Sequence, residues 1–272
     1  MAAPTFRPNG ILALLTDFGV RDPYVGVMKG VILAHAPHAR LVDLTHEIEA
    51  QDVQAAAFAL DGAWRYFPEG TVFVTIVDPG VGSKRQVVYG IREGRLFMSP
   101  DNGCLSFVLR PEDPVWRLDV EKFSLPDRSS TFHGRDVFAP AAARLATGFP
   151  PEHAGTPAEA LERLERPRPR LDRDGSLLGE VVSIDRFGNL ITTIAREDLR
   201  AFAGSRVANL EVQVGSRRIP KISNHYAEAA RGEVIALVDS LGFLEVAVRD
   251  GSATRELAAK RGAEVRLRRR PE

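Results

Sequence analysis

The apolar runs ILALLT (residues 11–16), RLVDLT (40–45) and TVFVTIVD (71–78) alternate with two longer segments of helical period, residues 24–35 and 52–67. Short continuous apolar runs are typical of strands that are buried on both faces, and the longer segments are typical of helices. This strand–helix–strand–helix–strand order indicates a parallel sheet that is covered by helices on both faces. The first part of the chain is therefore predicted to be a three-layer α/β domain.

The rest of the chain is richer in strands. One helix is predicted at residues 133–147, and prolines and charges mark residues 149–175 as a connecting segment. Beyond it, only residues 197–202 form a good helical window. Further strands are predicted at residues 87–91, 95–99, 115–120, 179–185, 190–194, 206–212, 232–238, 243–248 and 263–267.

These patterns predict an α/β protein of two domains. We expect an N-terminal three-layer α/β domain with a mainly parallel sheet over residues 8–165. A small antiparallel β-barrel-like domain is expected over residues 166–272.

Composition argues against several classes of protein. Lys and Arg together number 36, as do Asp and Glu, so no net charge draws the chain to nucleic acid or to an anionic membrane. The arginines at residues 261–270 fit a solvated terminal strand. The single cysteine, Cys104, can form neither an internal disulfide nor a cysteine-based zinc site, which favours a reducing cytoplasm. No apolar run approaches the roughly 20 residues that span a bilayer, so neither secretion nor a membrane segment is expected.

Polar residues follow the predicted strands at the edge where open α/β sheets bind ligands. The TDFG turn (16–19) carries Asp17, an acid that can accept both hydroxyls of a ribose or can simply cap the next turn. VDPGVGSKR (77–85) places Asp78 at a strand tip and Arg85 seven residues later, a spacing that also suits a structural ion pair. His133 stands just ahead of a predicted helix and can point into the same crevice, although a lone histidine is more often structural.

A hairpin in the second domain has a pattern that suits a purine. SIDRFGNLITTI (183–194) carries Phe187, whose face can stack on a purine, and Asn189, whose amide can pair with the amino edge of adenine. A simple hairpin with Phe187 in the core explains the same residues.

The ordered motifs LLTDFG, HEIEAQD, VDPGVGSKR, SPDNG, TFHGRDVFAPAAA and DRFGN resemble those of the S-adenosylmethionine (SAM) hydroxide adenosyltransferases, which are related to the fluorinase and chlorinase enzymes. The resemblance covers about residues 11–267. It implies a homotrimer in which SAM lies between the N-domain of one subunit and the C-domain of its neighbour. It also implies that SAM is the substrate, that adenosine and methionine are the products, and that no cofactor is needed.

The resemblance also implies roles for individual residues. The family's hydrolytic triad falls on Asp78, Arg85 and His133, and because the halide-using relatives lack it, the nucleophile is expected to be water or hydroxide. The implied substrate contacts are Asp17 and His46 at the ribose, Asp22 and Asp185 near the methionine amino group, Phe187 and Asn189 at the adenine, and Ser240 at the methionine carboxylate. Leu241 stands where the fluorinase has an arginine after that serine.

The chemistry of a sulfonium substrate restricts what these groups do. Methionine leaves as a neutral thioether and needs no general acid, so catalysis must act on the nucleophile. Arg85 stays protonated and cannot be the base. Either His133 or Asp78 takes the proton of water, or the two orient the water together.

Three other interpretations compete with SAM hydrolysis. A halide-using SAM adenosyltransferase would share the fold, and a SAM- or adenosine-binding protein would share the binding residues without turnover. A metal-dependent hydrolase of a nucleotide-like substrate would use a carboxylate and histidine site. Its candidate ligands are Asp17, Asp43, His46, Asp78, His133 and Asp136. No two of these form a compact ligand pair such as HExxH, and no metal is expected.

Overall fold

The structure, a computed structural model that describes residues 6–270, divides the chain into two units, Met1–Arg166 and Pro167–Glu272. The helices of the first unit are α1 (Tyr24–His35), α2 (Val53–Ala63), α3 (Val120–Phe123) and α4 (Ala139–Ala146). Its strands are β1 (Ile11–Thr16), β2 (Arg40–Thr45), β3 (Val72–Ile76), β4 (Val87–Arg92), β5 (Arg95–Pro100), β6 (Val115–Leu118) and β7 (Gly155–Pro157).

The second unit is mostly strand. Its helices are α5 (Arg196–Ala203) and α6 (Ala253–Leu257). Its strands are β8 (Arg170–Leu171), β9 (Leu177–Ile184), β10 (Leu190–Ala195), β11 (Leu210–Val214), β12 (Arg217–Ile219), β13 (Ile222–Ser223), β14 (Val234–Val238), β15 (Phe243–Val248) and β16 (Glu264–Arg269).

The sheet of the first unit runs in the order β2-β1-β3-β5-β4-β6-β7. Strands β2, β1, β3 and β5 are parallel, whereas β4, β6 and β7 join antiparallel. The sheet is therefore mixed, and its parallel half is the part that the alternation of strands and helices predicts. Parallel strands end at one edge, so the loops after β1, β2 and β3 emerge side by side.

Helices cover both faces of this sheet. Leu12 and Leu14 of β1 pack in one core cluster with residues of α1 and α4, while Ala13 and Leu15 pack in another with residues of α2. Alternate residues of a strand point to opposite faces, so β1 is buried on both sides. The predicted fold class, a three-layer α/β domain followed by a small β-domain, is confirmed.

The helix predicted at residues 133–147 has an irregular start. A single π-helical turn, Gly134–Phe138, precedes α4, and His133 lies directly before it. Such widened turns are often found at functional sites because they displace the side chains beside them from regular helical positions.

The connecting segment packs without regular secondary structure along most of its length. The backbone N–H of Glu162 donates to Asp101 (2.8 Å) and that of Leu164 donates to the Ser106 hydroxyl (2.8 Å). Leu161 is buried in the core cluster of the first unit. The segment is therefore held by backbone hydrogen bonds and by the buried side chain of Leu161, while Glu162 and Arg163 stay exposed.

The sheet of the second unit runs in the order β12-β11-β16-β9-β10-β15-β14-β13, with β8 beside β9. Its pairings are antiparallel except that of β13 with β14. Strand β12 also lies near β14, so the sheet curls until its ends approach each other. This is the barrel-like domain that was predicted.

Two helical features of the second unit differ from prediction. The strand predicted at residues 206–212 begins only at Leu210, because Gly204–Asn209 continue from α5 as a 3-10 helix. Helix α6 was not predicted, since five residues are too few to display a helical period. No helix within residues 6–270 is long and apolar enough to cross a membrane.

Candidate active site

Asp78, Arg85 and His133 meet at the carboxyl edge of the first sheet. The Arg85 Nε atom lies 2.9 Å from each carboxylate oxygen of Asp78, and its Nη2 atom also contacts Asp78 Oδ2. The same Nη2 lies 2.9 Å from His133 Nδ1. The side chains of Asp78 and Arg85 are only 6% and 11% exposed. The structure therefore brings together the three residues that the resemblance assigns to the triad, with Arg85 as the bridge.

The protonation of His133 follows from these contacts. Burial, together with the nearby positive charge of Arg85, holds the pKa of His133 below its usual value of 6.5. The ring is therefore neutral near pH 7. Because a guanidinium only donates hydrogen bonds, Nδ1 must accept, and the ring hydrogen then sits on Nε2. In this state the free nitrogen of His133 is a hydrogen-bond donor.

Two contacts hold the strand end and loops that carry the triad. Asn102 Nδ2 donates to the carbonyl of Val77 (2.8 Å), the residue before Asp78. Gly82 has a φ of +78°, and a Cβ there would lie 2.7 Å from the carbonyl oxygen of Ser130. The loop after β3 therefore touches the segment that leads to His133. The sequence indicates a turn at Gly82, but its pattern shows neither this approach to Ser130 nor the contact of Asn102 with Val77.

Asp17 lies at the end of β1, on the same edge of the sheet. Its Oδ2 atom accepts a hydrogen bond from the backbone N–H of Gln51 (2.8 Å). Gln51 has a φ of +68°, a left-handed conformation that is uncommon for residues other than glycine. Asp22 lies exposed in the loop before α1. The carboxylate of Asp17 is thus fixed through one oxygen.

His46 is almost fully buried. Its Nδ1 atom lies 2.8 Å from the Thr16 hydroxyl, and its Nε2 atom lies 3.0 Å from Asp43 Oδ1. Both ring nitrogens face protein groups. Thr16 holds Nδ1, whereas Nε2 faces Asp43 without a well-aligned hydrogen bond, and the ribose packing of this residue stays a prediction.

Three aromatic rings join the TDFG turn to the segment that carries His133. The ring of Phe132 lies 6.0 Å from that of Phe18 and 5.2 Å from that of Tyr24, measured between centroids. Both contacts are edge-to-face, the geometry that aromatic pairs prefer. The cluster forms an apolar wall beside the candidate site.

The predicted purine hairpin borders a cavity of about 880 Å³ in the second unit, which Asp185, Phe187, Asn189 and Tyr226 help to line. Asp185 Oδ1 accepts the backbone N–H groups of Phe187 and Asn189, and Asp185 Oδ2 accepts Asn189 Nδ2, all at 2.9 Å. The Asn189 amide is therefore held by its nitrogen, and its oxygen is the end that can meet an amino group. Phe187 is 74% exposed, so the alternative that placed its ring in the core is wrong.

Ser240 lies exposed in the turn between β14 and β15. The neighbouring Asp239 accepts the backbone N–H groups of Leu241 (2.9 Å) and Phe243 (2.8 Å), and burial raises its pKa. Glu245 of β15 accepts a hydrogen bond from the Tyr226 hydroxyl (2.7 Å). Sequence reasoning missed Tyr226, whose neighbours in the chain give no sign that it borders the cavity.

The carboxylates and histidines considered as metal ligands are dispersed. Across the described part of the chain, no three His, Cys, Asp or Glu side chains are grouped so that they could hold a metal ion. Asp136, for example, is buried and accepts the backbone N–H of Ser129 (2.7 Å) beside Arg135.

Two domain models of one family match most of the chain. Residues 12–155 match the SAM hydroxide adenosyltransferase N-terminal domain, and residues 179–266 match the SAM hydroxide adenosyltransferase C-terminal domain. The (R)-S-adenosyl-L-methionine hydrolase of Thermus thermophilus is 43% identical over 265 residues, which cover 93% of this chain and 97% of that protein. A fluorinase of Nocardia brasiliensis is 29% identical over 290 residues, covering 95% and 96%.

A solved structure also resembles the chain. The crystal structure of an uncharacterized conserved protein from Thermotoga maritima superposes with a TM-score of 0.87 at 34% identity, covering 95% of this chain and 100% of that one. Together the two family domains account for most of the sequence. The chain therefore belongs to the S-adenosylmethionine hydroxide adenosyltransferase family.

Proposed function

We propose that the protein hydrolyses SAM to adenosine and L-methionine by attack of a water-derived nucleophile at the ribose C5′. The observation that carries this proposal is the bridged cluster of Asp78, Arg85 and His133 at the ligand-binding edge of the sheet. A buried cation with an adjacent neutral imidazole is suited to hold an anionic oxygen, and the leaving thioether needs no acid.

The reaction balances without a further reagent. Oxygen forms a bond to C5′, the C5′–S bond breaks, and its electron pair remains on sulfur, which becomes the neutral thioether of methionine. One proton of the attacking water is released. In-line attack needs the oxygen about 3–3.5 Å from C5′ and opposite sulfur, so positioning accounts for part of the rate enhancement.

The hydrogen bonds of the triad favour one division of labour. The Nδ1 atom of His133 is occupied by Arg85, and both oxygens of Asp78 contact Arg85. The one lone pair of the neutral His133 ring is thus occupied, and the positive charge of Arg85 makes the Asp78 carboxylate a weaker base towards water. We therefore propose that Arg85 and the Nε2–H of His133 hold a hydroxide ion, that Asp78 fixes Arg85, and that the proton passes to solvent.

The substrate contacts extend this proposal. Asp17 accepts the ribose hydroxyls, and the Phe187 ring and Asn189 oxygen receive the adenine. The remaining assignments are Asp22 and Asp185 at the methionine amino group and Ser240 at its carboxylate. The exposure of Phe187 and the orientation of the Asn189 amide support the adenine assignment.

We further propose a homotrimer with its sites at subunit interfaces, acting in the cytoplasm without metal or cofactor. Large exposed apolar side chains in each of the two units support the assembly. They include Val20 and Tyr24 beside the Asp17 turn, and Phe187, Tyr226 and Leu241 in the second unit. Exposed apolar groups of this size are typical of surfaces that a partner or ligand covers. Cys104 is buried as a free thiol, which suits a reducing compartment.

The test is SAM cleavage in halide-free buffer that contains EDTA and is made with ¹⁸O-water, followed by mass spectrometry. Adenosine that carries ¹⁸O at the 5′ position, with equimolar methionine, is the expected result. Asp78→Asn and His133→Ala are expected to bind SAM but to lose turnover.

Activity only after added metal would favour the metal-dependent hydrolase, and a 5′-halogenated product only after added halide would favour the halide-using enzyme. SAM binding with no product under any addition would favour the binding protein.

A further inference from the structure

Four polar side chains lead from the surface of α1 to the turn that carries Asp17. Lys29 Nζ lies 2.6 Å from Asp43 Oδ2, and Asp43 Oδ1 lies 3.0 Å from His46 Nε2. His46 Nδ1 lies 2.8 Å from the Thr16 hydroxyl. We call these four residues, Lys29, Asp43, His46 and Thr16, the Thr16 relay. Its members come from α1, from β2 and the turn after it, and from β1.

The charge state of Asp43 and the position of the ring hydrogen of His46 determine which groups in the relay donate and which accept. Although burial opposes it, contact with Lys29 and His46 holds the pKa of Asp43 below its usual range, so this carboxylate is an acceptor. His46 Nε2 lies close to this carboxylate, although the two atoms are not well aligned for a hydrogen bond. Because an acceptor faces Nε2, this nitrogen carries the ring hydrogen. With the ring hydrogen on Nε2, the lone pair of Nδ1 accepts from the hydroxyl of Thr16.

The relay ends on the backbone around Asp17. With its hydrogen given to His46, the Thr16 oxygen accepts the backbone N–H of Phe18 (3.2 Å). The carbonyl of His46 accepts the N–H of Gly19 (2.7 Å). The two residues after Asp17 are thus both held by relay members, while Gln51 holds one oxygen of the carboxylate itself. The other oxygen, Oδ1, is left to meet a ligand.

We propose that Thr16 and His46 are positioning residues that aim the Asp17 carboxylate at the ribose. This inference rests on the proposed function, in which Asp17 binds the ribose hydroxyls. Thr16 and His46 are almost fully buried, so their hydrogen bonds lie in a low-dielectric environment where a misplaced partner is costly. His46 then acts through Thr16 and the turn, and contributes no polar atom to the substrate.

The links of the relay are expected to differ in importance. Lys29 and Asp43 are 29% and 42% exposed in their side chains, and exposed ion pairs contribute little. The bond between His46 and Thr16 is buried. Loss of the Thr16 hydroxyl is therefore expected to affect ligand binding more than loss of the Lys29 charge.

The test is a double-mutant cycle on adenosine affinity, measured by titration calorimetry with thermal unfolding of each variant recorded in parallel. Thr16→Val removes the hydroxyl at nearly constant volume and is expected to weaken adenosine binding by about tenfold. In an Asp17→Asn background the same change is expected to have less than about a twofold effect, because the carboxylate that it positions is gone. Thr16→Ser is expected to restore wild-type affinity.

Thr75→Val is the matched control. Thr75 is a fully buried strand threonine of β3 whose hydroxyl has no hydrogen-bond partner in the described structure, so its loss is expected to leave adenosine affinity unchanged. An equal loss of affinity from Thr16→Val in both backgrounds would overturn the inference, as would failure of the wild type to bind adenosine. Adenosine binding without SAM cleavage by the wild type would refute the hydrolase proposal alone, since the cycle does not depend on turnover.

Discussion

At the scale of single residues, Arg85 is the group on which the candidate site depends. It is the common donor to Asp78 and His133, and it determines which nitrogen of His133 carries hydrogen. A lysine has one charged nitrogen and cannot make the parallel bonds of a guanidinium. The shape of Arg85, in addition to its charge, is therefore part of the site.

Arg85→Lys is expected to lower the rate of SAM cleavage by about 100-fold or more, because the bridge between Asp78 and His133 is lost. SAM affinity is expected to change by only a few-fold, since the charge stays. Steady-state kinetics and calorimetry separate the two quantities. Arg65→Lys is the control, since the Arg65 side chain is 56% exposed and pairs with Asp61 outside the triad. An Arg85→Lys enzyme with the wild-type turnover number would contradict the bridging role.

The pH dependence of cleavage follows from His133. When Nδ1 is protonated, two hydrogen-bond donors face each other, so the hydrogen bond between Arg85 and His133 is lost. Burial and Arg85 lower the pKa of His133, while Asp78 and Asp136 oppose that shift and Arg128 adds to it. The turnover number is therefore expected to hold down to pH 6.5 and to fall only below it. Measured pH profiles with an acidic midpoint above 6.5 would argue against a neutral, Arg85-bonded ring.

The same shift makes folding stability depend on pH. Between the lowered pKa of His133 in the folded state and about 6.5 in the unfolded chain, the unfolded state binds more protons. The free energy of unfolding is therefore expected to decrease as pH falls through that range. Denaturant titrations at several pH values should show that this decrease in the free energy of unfolding is smaller in His133→Asn than in the wild type.

Some site residues are readable from sequence and others are not. Asp17, Asp78 and His133 follow or precede predicted elements at the ligand-binding edge, and their motifs identify them. Asn102 acts on Val77 across 25 positions of sequence, and no local pattern reports such a contact. The burial of His46 likewise depends on neighbours from another strand. The sequence therefore indicates which residues can take part in the candidate site, while only the fold shows which distant residues they contact.

At the scale of elements, the candidate site depends on contact between two loops. Residues 79–84 follow β3, and residues 124–132 precede the π-helical turn. They touch at Gly82 and Ser130, where the missing side chain lets one backbone approach the other. Gly10 offers a comparison, because its φ of +79° matches the +78° of Gly82 but nothing lies within 4 Å of its Cβ position.

Gly10→Ala is expected to lower the free energy of unfolding by roughly 1–2 kcal/mol, the cost of a left-handed backbone for alanine. Gly82→Ala is expected to lower it by more, because its Cβ also meets the carbonyl oxygen of Ser130. Only Gly82→Ala also forces the two loops apart. SAM cleavage is therefore expected to fall in Gly82→Ala and to be preserved in Gly10→Ala. Equal activity of the two variants, measured well below their melting temperatures, would show that the loop contact does not set the geometry of the triad.

Elements with a strong pattern were predicted well, and short or context-dependent ones were not. Strands β1 and β2 and helix α1 fall on the predicted residues because each is a clear apolar run whose length distinguishes a strand from a helix. The two-residue strands β8 and β13 and the short helix α6 show no period, and pairing with neighbours creates them. Strands β4, β6 and β7 join the parallel strands in antiparallel orientation. This orientation depends on tertiary contacts that local sequence does not show.

At the scale of the whole molecule, helix α1 is apolar on more than its core-facing side. Val25, Met28 and Ile32 are buried, but Val27 and Leu33 are 41% and 42% exposed. A helix that is apolar nearly all round is typical of one that is buried on every side. Gly26 and Gly30 leave open space where a side chain would stand, which lets another backbone approach. This exposed apolar face of α1 is therefore suited to contact a second subunit.

Val27→Glu is therefore expected to dissociate the proposed trimer, because it places a charge in a desolvated apolar contact. Light scattering after gel filtration should show a mass three times that of the chain for the wild type and a smaller mass for the variant. If sites lie at subunit interfaces, SAM cleavage should fall with the trimer fraction and recover at higher protein concentration. Leu171→Glu is the matched control, since Leu171 is 68% exposed on the two-residue strand β8. A trimeric and active Val27→Glu protein would exclude α1 from the interface, and a monomeric, fully active wild type would show that one chain builds the whole site.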